Sequence, residues 1–204
     1  MLGSTHGKND GELMGQPASN KELNIPTGVL IRATNDGKIE SMREYMDQGT
    51  FAAQLGLMPA EHAAHMRQSW DPAVWGGTKV VVAKNDETET KNLGLAKSWT
   101  ANFNGHDLDK VMEGWADDAK FIYAGHKEDV SGKDNIRKML EEFYTMTTDV
   151  KAKVNHRWAA GDYVVTMYTM SGTNDGPMPG GGPPATNKKF EYEELEVVKV
   201  ADGK

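Results

Sequence analysis

The chain has 204 residues, with 23 Lys or Arg against 30 Asp or Glu, a formal charge of -7, 38% hydrophobic and 26% charged residues. That composition allows a sizeable core, argues against global disorder, and speaks against a nucleic-acid surface, which needs a basic stripe. There is no cysteine, so disulfides, thiolate nucleophiles and Cys-based zinc sites are excluded, while the lack of an apolar run of about 18 residues or of a basic-then-apolar leader predicts a cytoplasmic protein with no membrane span.

Residues 1–22 are polar and rich in Gly, Asn and Ser, and read as a loop or the frayed end of a hairpin. Residues 23–33 read as a strand in which Pro26 favours an edge or irregular position. Asn35-Asp36-Gly37-Lys38 signals a hairpin turn, and 39–46 is the return strand, with a helix as the competing reading. Short helices are predicted over 50–57, capped by Thr50, and over 59–70, started by Pro59. Residues 71–77 break the second helix, 78–84 suggest a strand or extended linker, and 85–90 look like a boundary.

Leu95, Trp99 and Phe103 recur at spacing four and predict an amphipathic helix over 91–104. A short helix follows Asp107, then a strand over 120–124 and a turn at Ser131-Gly132-Lys133. Ile136, Met139, Leu140, Phe143 and Tyr144 predict a helix over 135–145 capped by Asp134. Three strands follow, over 150–159, 162–172 and 187–200. Gly161-Asp162 turns the first pair, and a Pro- and Gly-rich loop from Thr173 to Pro184 joins the second.

The two ends of the chain repeat each other. Asn-Asp-Gly occurs at 9–11 and at 174–176, and Gly15 matches Gly180. Pro17-Ala18-Ser19-Asn20-Lys21 matches Pro184-Ala185-Thr186-Asn187-Lys188, and both copies reach Asp-Gly-Lys, at 36–38 and at 202–204. The first copy continues into the return strand 39–46 and the second stops. The C-terminal domain therefore reads as a sheet short of its last strand. Residues 38–47 are the expected donor, from the same chain or from a partner in a strand-exchanged homodimer; truncation of a longer tandem protein is the alternative.

Residues 91–204 resemble a SnoaL-like domain of the nuclear-transport-factor-2-like superfamily. The resemblance rests on Asn104-Gly105-His106-Asp107-Leu108-Asp109, Trp115-Ala116-Asp117-Asp118-Ala119, Ser131-Gly132-Lys133, Ala160-Gly161-Asp162-Tyr163-Val164-Val165 and Ser171-Gly172-Thr173, in that order. Residues 7–57 resemble the C-terminal half of the same domain, and Gln54-Leu55-Gly56 resembles the ending of ester cyclases. The implied organisation is 1–57 as half a repeat, 58–90 as a linker with a helix, and 91–204 as the domain. The implied fold is α+β (NTF2-like), a cone-shaped curved antiparallel sheet packed on helices around a pocket, completed only by a strand from the N-terminal region. Enzymes of this kind resemble polyketide cyclases and ketosteroid isomerases, which take a proton from beside a carbonyl without metal or cofactor.

The resemblance maps the family's Gly-Thr-His-x-Gly stretch onto Gly172 to Gly176, with Asn174 in the place of the His. Asn cannot exchange a proton at neutral pH, so Asp175, or Asp10 in the first copy, is the substitute acid–base group if it points inward; Asn-Asp-Gly reads equally as a plain turn. His156 alternates with Val154 and Trp158, and faces the interior as a general base if they do. Tyr123 and Phe121 share a strand face, and with Tyr168, Trp158 and Trp99 would line a ligand site whose phenols donate to an enolate oxygen. His126 would lie at its mouth. Trp115 reads as core, and His106 as a backbone contact. His62 and His65 lie three apart beside Glu61, but no third ligand is in place, so no metal is expected. The reading is a domain that binds a small hydrophobic molecule. The alternatives are a cofactor-independent cyclase or isomerase, and a non-catalytic assembly module.

Overall fold

The computed structural model describes residues 1–71, 79–179, 184–201 and 203. The chain forms two compact units, Met1–Lys79 with Ile122–Asp129, and Val80–Phe121 with Val130–Lys204. Most of the expected break at 71–77, and the repeat matches at Gly180, Asp202 and Lys204, lie outside the described residues. Among the described residues no helix is long and apolar enough to cross a membrane.

In the first unit, β1 (Leu2–Lys8), β2 (Glu22–Ala33) and β3 (Ile39–Met46) form an antiparallel sheet in that order. Alternation on β2 buries Leu23, Ile25 and Thr27, and α1 (Gln48–Leu55) covers them with Leu55. The α1 cap is Asp47, which accepts from the Thr50 amide at 2.5 Å, and Gly56 ends the helix at φ 74°. Thr50 is therefore not the cap; its hydroxyl donates to the Ala124 carbonyl at 3.0 Å. The Gln54 amide acts as a one-residue strand: its Oε1 accepts from the Asn24 amide at 2.8 Å and its Nε2 donates to the Asn24 carbonyl at 3.1 Å. The helix expected over 59–70 is only α2, Ala60–Ala63. The segment 122–129 is held in this unit by Thr50 and by Arg67, whose Nη2 lies 2.6 Å from Asp129 Oδ1.

The second unit begins with α3 (Glu87–Asn104), four residues ahead of its expected start, so the polar stretch 85–90 is a capped helix end. Asp86 accepts from the Glu89 amide at 3.0 Å, and the buried Glu89 carboxylate accepts from the amides of Lys84, Asn85 and Gly161. Residues 79–84 form no strand, and Val80 is 87% exposed. Then come α4 (Leu108–Glu113), the short pair β4 (Lys120–Phe121) and β5 (Val130–Ser131), and α5 (Lys133–Met146), which starts after Gly132 at φ 86° with Asp134 inside its first turn. The strand expected over 120–124 ends at Phe121. An antiparallel sheet, β6 (Lys151–Ala160), β7 (Tyr163–Thr173) and β8 (Lys189–Lys199), completes the unit. Phe103, Val111, Met112, Ile136, Leu140 and Val150 form its core.

The duplication is a repeat of hydrogen bonds. The Asn9 amide donates to Lys21 and the Asn174 amide to Lys188, both at 3.0 Å; Asn20 donates to Asn9 and Asn187 to Asn174, both at 2.8 Å. The Oδ1 of Asn9 takes the Ser19 amide, and that of Asn174 takes the Thr186 amide. Asn20 and Asn187 both sit in the left-handed region, at φ 57° and 54°. By this superposition β1 and β2 correspond to the end of β7 and to β8. The cis form of the strand donation is not what the structure adopts: β3 pairs with β2 and lies in a different sheet from β8. The physical reason is proximity, since β2 is itself a β8-type strand and reaches β3 through a tight turn with little loop-closure entropy.

The two Asn-Asp-Gly turns differ in what surrounds them. A Cβ on Gly176 would meet the Thr145 carbonyl oxygen at 1.9 Å and the Met146 Cα at 3.1 Å, whereas one on Gly11 meets nothing within 4 Å. Backbone atoms at the end of α5 cannot step aside. G176A is therefore expected to lower stability by about 2 kcal/mol or more, and G11A by less than about 0.5 kcal/mol, read by urea unfolding of the two variants.

Candidate functional site

Sheet register builds a polar row across the second unit. The inner face of β7 carries Thr166, Tyr168 and Met170, all buried. Opposite them on β8 stand Glu196, Glu194 and Tyr192. On β6, Val154 faces Tyr168, but the register shifts between Val154 and His156, so that Arg157 faces Thr166. Asn155 is the extra residue of a β-bulge, which reverses side-chain parity beyond it. The result is the line Arg157–Thr166–Glu196. Arg157 is fixed by Nε to Thr166 Oγ1 at 2.9 Å and by Nη2 to Thr100 Oγ1 of α3 at 2.6 Å. Tyr168 donates its phenol to Glu196 Oε2 at 3.5 Å and also faces Glu194.

Both glutamates titrate near neutrality. Burial pushes Glu196 up to about 7, opposed by the Arg157 charge and the Tyr168 hydroxyl. Burial and then the Glu196 charge push Glu194 up to about 7. Burial raises the Tyr168 phenol far above its usual range, with both carboxylates adding to the shift, so it stays a donor. Burial lowers Arg157, with Glu196 and Tyr168 opposing. The row thus offers a carboxylate, a carboxylic acid, a phenol and a guanidinium together at pH 7, which suits proton transfer to and from one molecule. A raised carboxyl pKa means the fold favours the proton. The associated stability is complete below the unfolded value of about 4.5 and is lost as pH rises through about 7. E194Q and E196Q, which stay neutral, are expected to melt higher than the parent at pH 8.5, by about 1 kcal/mol of stability, and to lose that advantage at pH 4.5. Melting curves at the two pH values check this.

The residues expected from the sequence fall in several places. Tyr168 lies in the row, and Trp99 and Phe121 pack against the core of the same unit. The bulge overturns the parity argument for His156: it is exposed and shares the outer face with Trp158, opposite Met167 and Val165. Asp175 does not point inward. It is exposed, accepts from the Thr148 amide at 2.9 Å and from the Thr148 hydroxyl, and these bonds hold its carboxyl below the usual range. Asp10 is exposed in the first unit. Tyr123 and His126 belong to the first unit, edge to face at 4.9 Å, with burial and then Arg67 lowering the imidazole pKa. Asn174 clamps its turn, taking Thr186 through Oδ1 and donating to Gly176. His106 contacts the Val150 carbonyl at 3.0 Å. His62 and His65 are exposed, and no three ligating groups converge among the described residues.

Arg157, Thr166, Glu194 and Glu196 were missed. Glu194 and Glu196 do leave a signal, since they share parity with Phe190, Tyr192, Val198 and Val200. Arg157 leaves none, because its orientation depends on the bulge. In the first unit the register that pairs Tyr168 with Glu194 pairs Gly3 with Thr27, and Val29 stands for Glu196. The row therefore exists in one copy of the repeat. The first unit has a surface cleft of about 340 Å³ lined by Ala53, Met58 and Ala60, where Lys21 supplies charge without an acid–base pair.

The chain matches the SnoaL-like domain over residues 96–204. Among solved structures it is similar to a protein described as a SnoaL-like polyketide cyclase from Jannaschia sp. CCS1, at 18% identity and a TM-score of 0.53, over 60% of this chain and 85% of that one. It is also similar to a protein described as a hydroxylase from Streptomyces galilaeus, at 21% identity and a TM-score of 0.50, over 57% and 84%. Among curated proteins none matches. At these identities the likenesses show a shared fold of helices on an antiparallel sheet. The family match, which covers more than half of the chain, makes this protein a member of the SnoaL-like domain family.

Proposed function

We propose that the second unit is a cofactor-independent proton-transfer enzyme acting beside the carbonyl of a small apolar molecule, of the cyclase or isomerase type. The observation that carries this reading is the pair Glu194 and Glu196, titrating near 7 next to the Tyr168 phenol and Arg157. A general base works best with a pKa near the operating pH. One carboxylate removes a proton from the carbon next to the carbonyl. Tyr168 and Arg157 stabilise the enolate oxygen, and the protonated carboxyl returns a proton elsewhere on the frame. The Asn at 174, bound up in its turn, favours a second reading, a binding module without turnover. The homodimer expected from the sequence remains part of the proposal, with the edge of β8 that no described strand pairs as the face offered to another copy; a light-scattering mass of one chain in solution would remove it.

Deuterium exchange into 2-tetralone in heavy water, followed by NMR, tests the activity. Wild-type exchange is expected above the buffer rate, rising with pH through about 7 as the carboxylate forms. E196Q is expected to lower it about 100-fold. E194Q removes a neighbouring negative charge and should shift the profile to lower pH. Exchange at the buffer rate, or undiminished exchange in E196Q, favours the binding module.

A further inference from the structure

Two buried donors in the second unit have no acceptor among the described residues. The indole Nε1 of Trp99 and that of Trp115 are closed to solvent and make no hydrogen bond there. A buried indole N–H normally finds a partner, and leaving it bare is costly. The two rings belong to different elements, α3 and the connection after α4, and those two helices pack on one another. Leu95, one helical turn before Trp99, lies 3.4 Å from where a Cβ on Gly114 would sit, and Gly114 precedes Trp115. Trp99 stacks on Phe103 at 5.3 Å and 16°, and Trp115 lies 6.3 Å from Phe121. Both rings are only partly buried and flank the same apolar core. Trp99 also precedes Thr100, whose hydroxyl holds Arg157.

We infer that Trp99 and Trp115 are ligand-binding donors, and that the molecule taken by this unit has a flat apolar frame carrying two acceptor oxygens, one for each indole N–H. The inference rests on the proposed site and names how its ligand is recognised. The surroundings fit that chemistry. Aromatic faces accept a flat frame, and an indole N–H is a donor only, so the polar demand at these two rings is for acceptors. A purely apolar guest would leave both N–H groups as bare as they are without it.

A series on one fused-ring frame counts the acceptors: indane has none, 1-indanone has one and 2,2-dimethyl-1,3-indanedione has two. Calorimetry with wild-type protein is expected to show affinity rising about fivefold per oxygen. W99F and W115F remove the N–H and keep a smaller aromatic ring. Each should cancel one step of affinity for the dione beyond whatever change it makes for indane. In ¹⁵N-correlated spectra of the wild type, two indole signals, assigned from the variants, should move downfield with the dione and stay in place with indane. Equal affinity across the series, unmoved indole signals, or variants that weaken all three compounds alike would overturn the inference and leave the rings as core packing. Should a variant fail to fold, the wild-type series and the count of responding indole signals decide. Failure of deuterium exchange with responsive indoles would sink the proposed reaction alone, and catalysis with silent indoles would sink this inference alone.

Discussion

Removing a carboxyl from water is costly, and placing a second beside it adds repulsion. The second unit does both, on the inner face of β8, and the structure around Glu194 and Glu196 reads as the compensation. Thr100 on the helix and Thr166 on the central strand hold Arg157 at the end of the row. Tyr168 lies against both carboxyls. The charges oppose one another without cancelling, which leaves the pair poised near neutrality. The proposed proton-transfer chemistry requires that poise, and the row depends on one extra residue in β6, which turns Arg157 inward and His156 outward.

The repeat separates what belongs to the fold from what belongs to the site. Both copies keep the Asn side-chain clamp, the left-handed Asn and the hairpin hydrogen bonds. These are demands of the backbone and survive wherever the hairpin does. The ionisable inner row survives in one copy, because Gly3, Thr27 and Val29 occupy the other. Asp175 and Gly176 likewise have work against the end of α5 that leaves Asp10 and Gly11 without an equivalent. A shared sequence motif here marks shared turn geometry, and in the second copy its Asp175 serves as a structural acceptor.

Much of the fold was legible in advance. Apolar spacing gave α5 and most of α3, strand-like runs between turn residues gave β2, β6, β7 and β8, and the Asp36-Gly37 turn gave β3 against a competing helix. The misses came where local and tertiary demands differ. Thr50 resembles a cap, but Asp47 takes that role and Thr50 bonds to a segment 74 residues away. The polar run 85–90 resembles a linker, yet Glu89 is buried because three backbone amides converge on it.

By itself, the sequence determined the family, the repeated turn motif and the main elements, since each is written in local spacing or in an ordered series of turns. Only the tertiary structure decided which polar side chains meet. A strand's facing depends on register, and one bulge inverts it. The same limit applied to β3, whose partner in this chain is β2, reached across the short turn at Asn35 to Lys38.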